Sequence, residues 1–239
     1  MDDWPGALES VRQKISRARE HQWTVFAMLE EYSQSQPCTV VEDVSTNSGR
    51  RLWRVSGDPA APDPKMAVVI GETLYQYRSA LDHLAWQLVI ANGKAPDRHT
   101  QFPICLTEQG FNSSFNRWVA GMDASAIERL DRIQPFRGQL GDADETLRAL
   151  ENLCNIDKHR HLNLMIAAHA GSAWTGLSSD SAEPVSYWGP IENGKVLVEV
   201  EWGSSMESVR PIIDVALAEG DASVQGLVRW TLLALLRQL

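Results

Sequence analysis

Near Leu162 the hydrophobic period of the chain changes, and that change limits the fold more than any other feature. Before it, long segments place apolar residues at three- and four-residue steps; beyond it Leu162, Leu164, Ile166 and Ala168 alternate with the residues between them. A period of three to four is a helix and a period of two is a strand. Two further strand pairs are signalled by turns. Val40-Val41 and Leu52-Trp53-Arg54-Val55 flank Thr46-Asn47-Ser48-Gly49, and Val185 to Ile191 and Val196 to Trp202 surround Glu192-Asn193-Gly194-Lys195. Asn-Gly suits the tight primed turn of a hairpin. The expected class is therefore α+β: a mainly helical bundle with a small antiparallel sheet built from two β-hairpins and one further strand.

The helices are expected at about 6–33, 65–91 and 143–160, with two shorter ones between and a last one at about 222–239. In the first, Leu8, Val11, Ile15, Ala18, Gln22, Val25 and Leu29 make one stripe, and Pro37 stops it. Asn92-Gly93 closes the second. The proline-rich stretch 57–64 is too short to mark a domain boundary. Residues 1–239 are expected to form a single compact domain, with hairpins near 38–56 and 162–202, and 44% hydrophobic composition supplies its core.

Charge and cysteine usage narrow the function classes. A formal net charge of −9 excludes a broad nucleic-acid surface and leaves room only for a local RNA or nucleotide contact. Cys38, Cys105 and Cys154 are far apart with no CxxC, which fits a reducing, cytoplasmic setting. No apolar run is long enough for a membrane span, and the N-terminus lacks the pattern of a signal peptide. GxSxG, P-loop, GxGxxG and HExxH motifs are absent, and no cofactor is expected.

Two helices carry residues able to do chemistry. In the 65–91 helix, Leu74, Tyr77, Leu81, Leu84 and Leu88 form the expected buried stripe, with Arg78 and Asp82 beside it at pairing distance. His83 lies roughly 140° around from Arg78, nearer Trp86 and Ile90. In the 143–160 helix, Leu147, Leu150 and Cys154 define the stripe and Asp157 continues it. A carboxylate there needs a cation, and Arg78 is the expected partner. Asn155, Lys158, His159 and Arg160 flank Asp157 as candidate substrate-binding residues. The helix dipole equally accounts for cations at that end.

Arg78-x4-His83 on a helix of a mainly helical bundle resembles the signature of the HEPN superfamily, which includes ribonuclease toxins, defence effectors and inactive nucleotide-site relatives. The resemblance implies that Arg78 polarises a phosphate and that His83 serves in general acid–base cleavage using an RNA 2′-hydroxyl, without a metal. The wider set Arg78-Ser79-Ala80-Leu81-Asp82-His83-Leu84, Gln101-Phe102-Pro103-Ile104, Ile133-Gln134-Pro135-Phe136 and Asn155-Ile156-Asp157-Lys158-His159-Arg160 is similar to a family of uncharacterised bacterial proteins. That likeness spans about residues 70–165 and implies no activity.

Two other classes stand beside the ribonuclease reading. Glu20-His21, Asp82-His83 and Asp157-x-His159 put acids and histidines on three helices, yet adjacent residues point about 100° apart and suit one metal poorly. The remaining class is a non-catalytic structural or interaction protein whose Arg/Asp/His cluster locks helix packing. In that class the last helix, with Val224, Leu227, Trp230 and Leu235, serves as a homodimer interface or packs within its own bundle.

Overall fold

A computed structural model of the chain describes residues 4–43, 50–159, 162, 164–175, 185–186, 189–201 and 208–217. The fold is α+β and mainly helical. The helices are α1 (Trp4–Ala7), α2 (Glu9–Gln34), α3 (Lys65–Ala91), α4 (Glu108–Trp118), α5 (Ala124–Arg132) and α6 (Asp142–His159). The expected last helix, at 222–239, lies outside the described residues. No helix among the described residues is long and apolar enough to cross a membrane.

The described residues group into two compact units. One holds the described residues of 4–25 and 67–162, and the other those of 26–66 and 163–217. Each unit is discontinuous in sequence, and α2 passes from one to the other without a break. The proline-rich stretch 57–64 therefore marks no boundary, because the divisions fall inside or beside regular elements.

The first unit is helical. Val11, Ala18, Gln22 and Val25 are buried at helical spacing on α2. On α3 the buried residues include Ile70, Leu74, Tyr77, Leu81, Ala85 and Val89. The expected stripe through Leu84 and Leu88 is thus turned by about one residue at its C-terminal end, where both leucines are only half-buried. The smaller Ala85 and Val89 take the inner positions. Tyr77 Oη donates to Gln22 Oε1 at 3.0 Å, and Ser10 shares a cavity with His83 and Trp86. Those contacts make α2 and α3 antiparallel. Thr107 caps α4 and Asp123 caps α5, each accepting an N–H of the first turn.

The second unit carries two antiparallel sheets. The first has the order β1-β2-β6-β4, from β1 (Thr39–Asp43), β2 (Arg50–Ser56), β4 (Val185–Ser186) and β6 (Val196–Glu201). It joins both expected hairpins, with Val40 opposite Val55, Trp53 opposite Val198 and Val185 opposite Glu199. The turn Thr46–Gly49 lies outside the described residues, whereas Gly194 adopts a φ of +79° that glycine tolerates. The second sheet has the order β5-β3-β7, from β3 (Leu164–Thr175), β5 (Gly189–Pro190) and β7 (Ser208–Leu217).

The strand expected after His161 is β3, but it belongs to this second sheet rather than to the one built from the hairpins. Its long partner β7 is absent from the sequence reading. Pro211 and the adjacent Ile212-Ile213 obscure the alternation there, and proline argues against a strand interior. Both strands absorb irregularity through register shifts at Met165/Ala168 and His169/Gly171.

Candidate functional site

Arg78 sits at the centre of a polar cluster inside the helical unit. Its side chain is 12% exposed. Nη1 donates to Glu151 Oε2 at 2.9 Å, and Nη2 donates to the carbonyl of Phe102 at 2.9 Å and stands 3.3 Å from Asp82 Oδ1. The same Asp82 oxygen accepts the Phe102 N–H at 3.0 Å. Arg78 and Asp82, one turn apart on α3, therefore grip both polar groups of one residue in the loop between α3 and α4. Glu151 is steadied in turn by Asn155, whose side-chain amide donates to its other oxygen at 3.0 Å. Asn155 acts at one remove, on the carboxylate that holds Arg78.

The loop continues into a second grip. Gln134 is 1% exposed, accepts the Cys105 N–H at 2.8 Å, and donates to the carbonyls of Pro103 and Leu130. Three of the four segments singled out from the sequence thus meet. The α3 segment holds Phe102, and the Ile133–Phe136 segment holds the residues after it. A buried loop needs partners for its backbone groups, and Arg78, Asp82 and Gln134 supply them.

The expected ion pair between Arg78 and Asp157 is not formed; the α6 acid that reaches Arg78 is Glu151. Asp157 is exposed and faces Gly71, seven residues before Arg78 and about 10 Å along the helix. A Cβ built on Gly71 would stand 2.6 Å from both carboxylate oxygens. Arg78 opposite Glu151 and Gly71 opposite Asp157 make α3 and α6 antiparallel. Asp157 does not continue the buried stripe of Leu147, Leu150, Leu153 and Cys154, because the face has turned away by residue 157. Glu151 was legible in principle, since it adjoins Leu150 as Arg78 adjoins Tyr77.

His83 is half-buried and lines a cavity of about 360 Å³ with Ser10, Asp82, Trp86, Gln87 and Thr100. No hydrogen bond or ion pair engages its imidazole among the described residues. Lys158 and His159 are exposed in the last turn of α6, where the helix dipole favours cations. Arg160 and His161 lie outside the described residues.

A second cavity, of about 480 Å³, opens beside Asp157 and Gly71, with Glu72, Tyr75, Gln76 and His21 among its walls. His21 Nδ1 stands 3.3 Å from Glu72 Oε2. Among the described residues, no three histidine, cysteine, aspartate or glutamate side chains gather into a metal-binding group. Cys154, one turn from Glu151, has its thiol pushed up to about 12 by burial, against the lowering pull of Arg78 and Lys158. A thiol held neutral is a poor nucleophile. No protein-family model, curated protein or solved structure matches this chain.

Proposed function

We propose that the chain works by binding rather than by cleavage, with Arg78 serving as a packing lock. The observation that carries this reading is the state of the guanidinium: both terminal nitrogens are taken by Glu151, Asp82 and the Phe102 carbonyl. A phosphate clamp needs that fork free. One cation against two carboxylates also sums to −1, the wrong sign for receiving a phosphodiester. The resemblance to HEPN proteins then corresponds to their inactive relatives. The direct test incubates purified protein with single-stranded RNA and a chelator. No cleavage above that of a His83→Ala control is expected, and cleavage that both Arg78→Ala and His83→Ala remove would refute the reading.

A second reading, a HEPN-like metal-independent endoribonuclease, is favoured by one observation: the unengaged His83 imidazole on an open cavity. In that chemistry His83 takes the proton of a 2′-hydroxyl, the oxygen attacks the adjacent phosphorus to close a 2′,3′-cyclic phosphate, and the 5′-oxygen leaves as the His83 imidazolium hands that proton on to it. Arg78 would then be a positioning residue, holding Asp82 at the cavity wall. DNA, lacking the hydroxyl, should be untouched.

A further inference from the structure

One line of α3 carries large apolar side chains that stay exposed. Among the described residues Val68, Tyr75, Trp86 and Ile90 are each between 43% and 57% exposed. At about 100° per residue Val68, Tyr75 and Trp86 fall within about 20° of one line along the helix, and Ile90 lies about 40° from it. The line runs for about 33 Å. Single exposed apolar residues are ordinary, but an aligned set on one helix marks a contact face. The neighbouring helices meet α3 elsewhere, α2 through Gln22 on Tyr77 and α6 through Glu151 on Arg78.

We propose that this face docks a second copy of the chain, with the two α3 helices antiparallel about a twofold axis at Ser79. The occupant follows from the spacing. Positions 68, 72, 75, 79, 83, 86 and 90 read the same from either end, with Ser79 at the midpoint. A twofold contact requires such self-complementarity. Laid antiparallel, Val68 meets Ile90 of the second copy, and the small Ser79 sits at the axis. The polar residues match as well. Tyr75 comes level with Asp82 of the second copy, whose Oδ2 takes no part in the Arg78 cluster. Lys14 stands over the Tyr75 ring, not at its hydroxyl. Glu72 comes within about one turn of His83 of the second copy, and His21 engages only Glu72 Oε2. A parallel pairing would instead set Glu72 on Glu72 and Asp82 on Asp82, which like charges oppose. Four half-exposed side chains per copy cover roughly 800 Å² between two copies, and their polar flanks carry the contact past the roughly 1,000 Å² that a specific interface needs. This assembly goes beyond both functional readings, and its test needs no RNA.

The test is sedimentation velocity of the whole chain between about 1 and 100 μM, which should show a dimer forming within that range. Trp86→Glu and Ile90→Glu should each weaken association about tenfold or more. Both side chains are exposed, so an unchanged thermal midpoint of the monomer separates lost association from misfolding. Cross-linking then reads the register, in a Cys38→Ser background because Cys105 and Cys154 are already buried. Ser79→Cys should oxidise to a covalent dimer, since the axis brings the two thiols together. Val68→Cys alone and Ile90→Cys alone should stay monomeric under denaturing conditions, whereas an equal mixture of the two should cross-link. A chain that remains monomeric at about 100 μM would overturn the proposal, whether or not another protein covers the face. So would a dimer that survives both glutamate substitutions, which would place the contact on another surface. Cross-linking of Val68→Cys with itself would mark a parallel pair and overturn the twofold at Ser79.

Discussion

The same two antiparallel helices, α3 and α6, meet in opposite ways at points seven residues apart. At Arg78 a long side chain fills the space between them, and Glu151, Asp82 and the Phe102 carbonyl engage both of its terminal nitrogens. At Gly71 there is no side chain at all, an exposed carboxylate leans on bare backbone, and a cavity opens beside it. The first meeting is closed around an engaged cation, while the second is open. What separates them is the size and charge of one α3 residue. The lesson is that a polar residue beside an apolar stripe points to function only after its partners are counted.

The largest effect should come from breaking the closed end. Arg78→Ala strands two carboxylates and a carbonyl together, and the expected cost is about 3 kcal/mol, at the lower end for a buried pair because Glu151 and Asp82 are partly exposed. Arg78→Lys keeps the charge but loses the fork, and should cost roughly half as much. Urea denaturation measures both, as a fall in midpoint with unchanged slope. A loss below about 1 kcal/mol for the alanine variant would class the cluster with ordinary surface pairs.

Gln134→Ala tests whether the lock extends along the loop. It removes three hydrogen bonds from a residue that is 1% exposed and leaves the Cys105 N–H without its acceptor. A cost of about 2 kcal/mol is expected. Coupling with Arg78→Ala in a double-mutant cycle should be non-zero, because both residues fix the backbone of 102–105. Strict additivity would separate the two grips.

Alkaline pH should loosen the closed end next. Burial pushes the Cys154 thiol and the Tyr77 hydroxyl up to about 12, and the Cys105 thiol up to about 11. All three are raised, so the folded state keeps protons that the unfolded chain releases earlier. Their stabilising contribution is complete below about pH 9, where an unfolded thiol begins to ionise, and is lost as pH rises toward 11–12. The denaturation midpoint should therefore fall above about pH 9, and Cys154→Ala should make that fall shallower by about one proton. An unchanged slope would place Cys154 in contact with water.

Much of this architecture was legible because helices state their period locally. The 65–91 helix matches α3 end for end, and the hairpin pairings of β1 with β2 and β4 with β6 follow turn signals only a few residues long. What escaped was non-local. Strand β7 hides behind Pro211, and its pairing with β3 spans residues far apart in sequence. Within the site, Arg78 and Asp82 were found because α3 alone sets their spacing, and Asn155 proved to act through Glu151. The choice of Glu151 over Asp157 depends on the antiparallel offset of two helices, which no single helix encodes. Gly71 carried no chemical signal, since a glycine inside a helix reads as a small cost until the opposing acid is known.

The smallest effect, at the open end, is the sharpest test of the comparison. Asp157→Ala should cost less than about 1 kcal/mol, because the side chain is exposed. Gly71→Ala by itself sets two opposing effects against each other. Alanine favours a helix interior over glycine by roughly 0.8–1 kcal/mol. Its Cβ, however, would arrive 2.6 Å from the Asp157 oxygens, and the carboxylate must swing aside. The net change in the native background should therefore be close to zero or unfavourable. With Asp157 already replaced by alanine the obstacle is gone, and Gly71→Ala should stabilise by the full helix-propensity gain. The predicted signature is a coupling of about 1 kcal/mol between two residues that each look nearly neutral alone. Equal stabilisation in both backgrounds would mean that Asp157 does not rest on the α3 backbone. The open end would then owe nothing to glycine, and the contrast with the Arg78 cluster would fail.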